Sequence, residues 1–228
     1  MTEYRQARFS PPEGATEILL IRHGESQPAN PDSPFPLVDG QGDPELAPEG
    51  REQAERVADR LTGAGIQAIY VTNLCRTAQT AAPLARRLGL EPSLEPDLRE
   101  VHLGEWEGGL LRKHSAENHP IALRVRREER WDLIPGAEPA AAFAARVRAG
   151  ITRLADANPG RRIAVVSHGG TIGQILAQAA GSRPFAFQGA DNGSISHLVV
   201  DGERWIIRSF NDTTHLTTAF TTSAKPLT

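Results

Sequence analysis

The chain has little of what would tie it to a membrane, an oxidising compartment or a polyanion. One of its 228 residues, Cys75, is a cysteine, so neither an intramolecular disulfide nor a zinc centre of several thiolates can form. A lone free cysteine is expected as a small buried residue, here beside a helix start. No stretch approaches the ~20 consecutive apolar residues that span a bilayer, and Met1-Thr2-Glu3-Tyr4-Arg5-Gln6 lacks the apolar core of a secretion signal. A cytoplasmic protein without a membrane partner is expected. Charge is nearly balanced, with 25 lysines and arginines against 28 aspartates and glutamates, and aromatic residues make up 5%. Such a chain offers nucleic acid neither a global attraction nor a basic-aromatic surface, so any anion must be held locally.

What the sequence does contain is two apolar runs that each end in a histidine. Thr16-Glu17-Ile18-Leu19-Leu20-Ile21 leads into Arg22-His23-Gly24-Glu25, and Ile163-Ala164-Val165-Val166-Ser167 leads into His168-Gly169-Gly170. In an open α/β sheet ligands bind at the carboxyl ends of the strands, where helix N-termini present unpaired N–H groups. A histidine beside an arginine, with a second histidine opposite, suits phosphate. Arg76 stands where a strand gives way to a helix, and its planar fork suits an anion there. Neighbours on a regular strand face opposite sides, so the backbone is expected to leave the strand at Gly24, letting Arg22 and His23 reach one phosphate. Gly169 and Gly170 let backbone approach the same anion.

The length fits one domain with a sizeable core. Strands at 16–21, 67–72 and 163–167 alternate with helices at 46–61, from 73 onward, 138–154 and 171–180, and Pro83 is expected to kink or break the second helix. Residues 194–200 and 204–210 read as a hairpin across Asp201-Gly202. Residues 98–106 show no assignable pattern. Alternation of this kind implies a three-layer α/β/α sandwich around a mostly parallel sheet, with right-handed crossovers. Residues 1–15 and 217–228 read as terminal arms around a domain of 16–216, and 111–139 as an insert or lid. Residues 27–48 carry six prolines and read as a long functional loop. The charged run 124–130 is either a solvated helix face or part of a lid that recognises an acidic substrate.

An Arg-His-Gly triplet alone is a weak motif; four blocks in order are stronger. Arg22-His23-Gly24-Glu25 is followed by Thr72-Asn73-Leu74-Cys75-Arg76-Thr77-Ala78-Gln79-Thr80, by the block 97–108 (Asp-Leu-Arg-Glu-Val-His-Leu-Gly-Glu-Trp-Glu-Gly), and by Val166-Ser167-His168-Gly169-Gly170. With the helix start 46–54 and the late segments 192–196 and 211–216, this order resembles the first branch of the histidine phosphatase superfamily, the phosphoglycerate-mutase-like proteins. The resemblance implies that fold. It implies His23 as the nucleophile that becomes phosphohistidine, Arg22, Arg76 and His168 as its phosphate-binding partners, and Glu100 as proton donor and then general base. Thr72 stands where serine is commoner in the family and keeps the hydroxyl. Asn30, seven residues after His23 where the family's asparagine usually stands six after, carries over as a substrate contact, as does Gly169. Glu25 is either a substrate contact or a partner for a nearby N–H or arginine. Trp106 and Glu107 read as packing and loop support, and 211–216 as a buttress of the site.

On this reading the chain is a metal-independent phosphatase of a small phosphomonoester, with no cofactor. The alternatives are a cofactor-dependent phosphoglycerate-mutase-type phosphotransferase and a non-catalytic phosphate-binding module. The short separation of the two His-Gly pairs and the Gly-x-Trp-Glu-Gly block weigh against the mutase; intact His23 and Glu100 weigh against the module. Family members are often dimers, so a homodimer is an expectation of the resemblance, although no interface patch stands out in the sequence.

Overall fold

The computed structural model describes residues 4–217. The elements are, in order, β1 (Thr16–Arg22), β2 (Leu37–Val38), β3 (Gln41–Gly42), α1 (Pro48–Leu61), β4 (Ala68–Val71), α2 (Cys75–Leu88) and β5 (Ser93–Leu94). They continue with α3 (Leu110–Ala116), α4 (Pro120–Glu128), α5 (Ala140–Ala157), β6 (Arg162–Ser167), α6 (Gly169–Ala180), β7 (Ile195–Asp201) and β8 (Arg204–Asp212). Six strands form one sheet in the order β5-β4-β6-β1-β7-β8; β5, β4, β6 and β1 run parallel, and β7 and β8 add an antiparallel edge.

The central strands are apolar on both faces because both faces are covered. Ile18 and Leu20 of β1 pack with Val147 and Ile151 of α5 and Ile172 and Ile175 of α6. Leu19 and Ile21 turn the other way, onto Val57 and Leu61 of α1 and Leu84 of α2. β6 divides in the same manner, Ile163 and Val165 from Ala164 and Val166. Right-handed crossovers explain the layering: the chain steps outward from β1 to β4 to β5 with α1 and α2 on one face. It then returns to β6, so α5 must lie on the opposite face. That reversal leaves the ends of β1 and β6 side by side, with Arg22 paired to Ser167.

Several elements depart from the sequence expectation. Pro83 neither breaks nor ends α2: it is buried, and the helix runs on to Leu88 before Gly89 closes it in the left-handed region at φ +65°. Burial against the sheet outweighs the one backbone hydrogen bond that proline cannot donate. The helix after His168 begins at Gly169, two residues before the expected start. The hairpin closes across Gly202-Glu203, with Asp201 opposite Arg204. Backbone leaves β1 after Arg22, one residue before Gly24. Cys75 is partly buried rather than buried, and burial beside Asp43 pushes its thiol up to about 11.

Residues 98–106 contain only 3₁₀ turns, Pro96–Leu98 and Gly104–Trp106. Beyond them α3 and α4 gather around a small core of their own, Trp106, Ala122, Val125 and Ile134. In the run 124–130, Arg124 pairs with Glu128 and Arg130 with Asp132 at the surface, as on a solvated face, while Arg126 lines a cavity. The N-terminal arm touches β8, with the Arg208 guanidinium 3.7 Å from the centroid of the Phe9 ring. The C-terminal arm beyond Thr217 lies outside the described residues. Among the described residues no helix is long and apolar enough to cross a membrane.

Candidate active site

Because β1 and β6 end side by side, His23 and His168 emerge together, with ring centroids 5.2 Å apart and planes inclined by 62°. The backbone after β1 lies against the start of α1: a Cβ on Gly24 would come within 2.4 Å of the Gly50 carbonyl oxygen, and one on Gly50 within 2.0 Å of the Glu25 oxygen. Only glycine permits that approach.

His23 is buried, and Nδ1 lies 2.7 Å from the Gly24 carbonyl oxygen. A carbonyl only accepts, so Nδ1 carries the proton and Nε2 holds the lone pair. Nε2 in turn accepts from Arg76 Nε at 3.3 Å. Burial first, then the positive charges of Arg76 and Arg22, hold the ring well below the ordinary histidine value, so it is neutral. His168 is depressed likewise, by burial and then Arg76. Its Nε2 lies 3.0 Å from the Thr72 hydroxyl, while its buried Nδ1 has no hydrogen-bond partner among the described residues.

Each of the two arginines donates to a backbone carbonyl. Arg22 donates to the Ala190 carbonyl. Arg76 donates to the Gly42 carbonyl at 2.9 Å and reaches Asp43 at 3.4 Å; Asp43 also accepts from the Cys75 N–H that opens α2. Burial pulls both guanidinium groups below their ordinary value, with Glu100 the chief opposing charge for each.

Glu100 lies across the N-terminus of α6. Its Oε2 accepts from Gly170 N at 3.0 Å, and its Oε1 from Thr171 N and Val101 N, each at 3.0 Å. The Gly170 and Thr171 N–H groups are among those that a helix start leaves without intrahelical partners. The segment carrying Glu100 has no ladder to hold it; Arg146 of α5 does so instead, donating to the carbonyls of Asp97, Arg99 and Glu100 while its fork grips Glu138.

The five expected catalytic residues thus meet at one sheet edge, and His23, Arg22, Arg76 and Glu100 line one cavity of about 120 Å³. Gly169 stands beside Arg22, where a Cβ would lie 3.3 Å from Nε. Asn30 does not join them: it is exposed, outside the cavity wall, and its Oδ1 accepts from Asp32 N in a local turn. Glu25 is also absent from that wall. Its backbone N–H and carbonyl tie Gln53 and Ala47, and its charge opposes the lowering of Arg22 and Arg112. Glu107 supports the loop as expected, accepting from Gly42 N and Leu103 N. The late segment braces the site through Asn211, which grips Asp191 at both ends, and His215, 2.9 Å from the Gly193 carbonyl.

Two further residues of the cavity, Arg112 and Gln41, escaped the sequence reading, and a third, Asn192, stood there only as the start of the late segment 192–196, with no role given. Arg112, on α3 of the insert, donates to Ser26 Oγ and the Gln27 carbonyl, with its guanidinium lowered to about 10 by burial and the other arginines. Gln41, from the proline-rich loop, is 2% exposed; it donates to the Glu100 carbonyl, and its Oε1 has no partner among the described residues. Asn192 donates to the His23 carbonyl at 2.9 Å. A lone Arg or Gln inside a loop or insert carries no local signal of where the chain will fold.

Fold and site define a protein of the histidine-at-strand-end class. Residues 18–213 match the histidine phosphatase superfamily, branch 1, and the chain belongs to that family. It is 35% identical over 207 residues to phosphoglycerate mutase-like protein 4 of Arabidopsis thaliana, covering 88% of this chain and 86% of that one. To a metal-independent phosphoserine phosphatase of the same plant it is 32% identical over 208 residues, covering 88% and 83%. The structure of a mycobacterial glucosyl-3-phosphoglycerate phosphatase superposes with a TM-score of 0.72 at 28% identity, covering 86% of this chain and 98% of that one.

Proposed function

We propose that the protein is a metal-independent phosphatase that hydrolyses a small phosphomonoester through a phosphohistidine on His23. The observation that carries this reading is the fixed tautomer of His23: with Nδ1–H held by the Gly24 carbonyl and the ring neutral, Nε2 presents a lone pair among buried arginines. A phosphate arriving there competes with Nε2 for the Arg76 N–H and so frees the lone pair. Nε2 forms a bond to phosphorus while the ester P–O bond breaks, and Glu100 in its acid form gives its proton to the departing alcohol oxygen. Water then attacks the phosphohistidine, yielding a proton to ionised Glu100 as the N–P bond breaks. Arg22, Arg76 and His168 hold the phosphoryl oxygens as charge develops, which is where such sites gain most of their rate. The phosphatases among the relatives, one of them named metal-independent, support the assignment.

Acid-labile, base-stable phosphate should be trapped during turnover of p-nitrophenyl phosphate on the peptide 20–27. Full turnover by His23→Ala would overturn the reading, and isomerised phosphoglycerate in place of free phosphate would report a mutase.

A further inference from the structure

A second cavity, also of about 120 Å³, opens beside the phosphate site. Arg22 and Glu100 border both cavities. A phosphate held by Arg22 therefore directs its ester oxygen past Glu100 and its alcohol portion into this second space. The walls there are apolar: Leu103 before the insert, Leu111 on α3, Val125 on α4 and Trp131 after it. The volume is close to the ~150 Å³ of an apolar cavity that accommodates benzene.

One cation stands on the wall contributed by the insert. Arg126, exposed on α4, lines the cavity, and among the described residues it has no ion pair, whereas its neighbours Arg124, Arg127 and Arg130 pair with Glu128 or Asp132. The charged run thus divides: three of its arginines are neutralised at the surface, and one is left facing the cavity.

We propose that the alcohol portion of the substrate is a flat apolar group of about one ring, seated between the insert and Glu100, with a carboxylate or similar anion at its far end beside Arg126. This rests on the phosphatase reading for its orientation, but the cavity can be tested by binding alone. A small, wholly polar phosphate ester would leave these walls wet and Arg126 unmatched.

Calorimetric titration of the full chain with methylphosphonate, benzylphosphonate and 4-carboxybenzylphosphonate tests it without turnover. Burying a ring should tighten benzylphosphonate over methylphosphonate by on the order of tenfold. The carboxylate should add roughly two- to fivefold, the range of an exposed ion pair, and Arg126→Ala should remove that gain alone. Ser115 lies on the same wall; Ser115→Phe should fill the space and abolish the benzyl advantage while methylphosphonate binds as before, with Ser115→Leu as the milder filling. Equal affinities for methyl- and benzylphosphonate in the parent protein would overturn the apolar seat. A carboxylate gain that survives Arg126→Ala would overturn the anionic end. Phosphate release from benzyl phosphate is read separately: binding preferences as described with no release from any ester would support the cavity and refute the phosphatase reading.

Discussion

Replacing Gly170 by alanine should separate proton transfer from phosphate binding. A Cβ built on Gly170 lies 2.6 Å from Glu100 Oε1 and 3.2 Å from Cδ, and real Cβ contacts essentially never fall under 3.0 Å. The carboxylate must therefore retreat from the start of α6, losing the 3.0 Å bond from Gly170 N to Oε2. A hydrogen bond to a charged group contributes about 1.5–3 kcal/mol, which at about 1.4 kcal/mol per factor of ten is roughly a 10- to 100-fold loss of rate if all of it falls on the step in which Glu100 moves the proton. The fold should survive, because Gly170 does not occupy the left-handed region and alanine in place of helical glycine adds up to about 1 kcal/mol. Arg22, His23 and Arg76 are untouched, so vanadate should bind as tightly as before. The assay is single-turnover phosphoenzyme formation from an alkyl phosphate and from p-nitrophenyl phosphate, whose leaving group needs little protonation. Gly170→Ala should slow the alkyl ester far more. Equal losses, or an unchanged alkyl rate, would refute the assignment of Glu100 as proton donor.

Three other predictions test the electrostatics and the scaffold. His23 is held neutral well below 6.5, so phosphoenzyme formation should stay level as pH falls from 7.5 to about 6; a loss centred at 6.5 would contradict the buried neutral ring. The unfolded chain protonates His23 and His168 near 6.5 while the native protein does not. Stability measured by urea titration should therefore decline as pH drops below that value, by up to about 1.4 kcal/mol per pH unit for each ring. Arg146→Met should cost about 3–5 kcal/mol in the same assay, since it leaves the nearly buried Glu138 unpaired. Adding Glu138→Gln should restore part of that, and no recovery would mean the three carbonyl bonds of Arg146, not the ion pair, hold the segment.

How much of this was legible in the sequence follows from which interactions are local. β1 and β6 are buried on both faces, so each reads as an unbroken apolar run, and the His-Gly pair that closes each run marks the sheet edge. Arg76 was legible as standing where a strand gives way to a helix, although that helix starts at Cys75 and not near residue 73. Residues 98–106 were not, because their order comes largely from Arg146 and Gln41, side chains distant in sequence bonding to backbone. Such bonds leave no periodicity behind. Asn30 misled for a related reason: counting residues from His23 says nothing of how a proline-rich loop turns, and its amide oxygen serves its own loop. Pro83 misled because helix propensity is a weak prior beside the burial of a packed face.

The phosphatase reading requires a chain of net charge −3 to hold a dianion, and the site offers a physical basis for it. Three arginines converge on the cavity, and a carboxylate salt bridge to each would satisfy their N–H groups while cancelling the charge needed for phosphate. Each donates to a backbone carbonyl: Arg22 to that of Ala190, Arg76 to that of Gly42 and Arg112 to that of Gln27. A carbonyl meets the hydrogen-bonding demand of a buried guanidinium and leaves its unit charge in place. Asp43 stands 3.4 Å from Arg76 and is shared with the Cys75 N–H, and Glu100 is the chief opposing charge for Arg22 and Arg76. On the phosphatase reading the positive field would act twice in a site of low effective dielectric: it would attract the phosphoryl oxygens, and it disfavours protonation of His23, whose Nε2 would attack. On that reading binding and nucleophilicity come from one arrangement of charge, in which the backbone carbonyls at 42, 190 and 27 anchor the arginines.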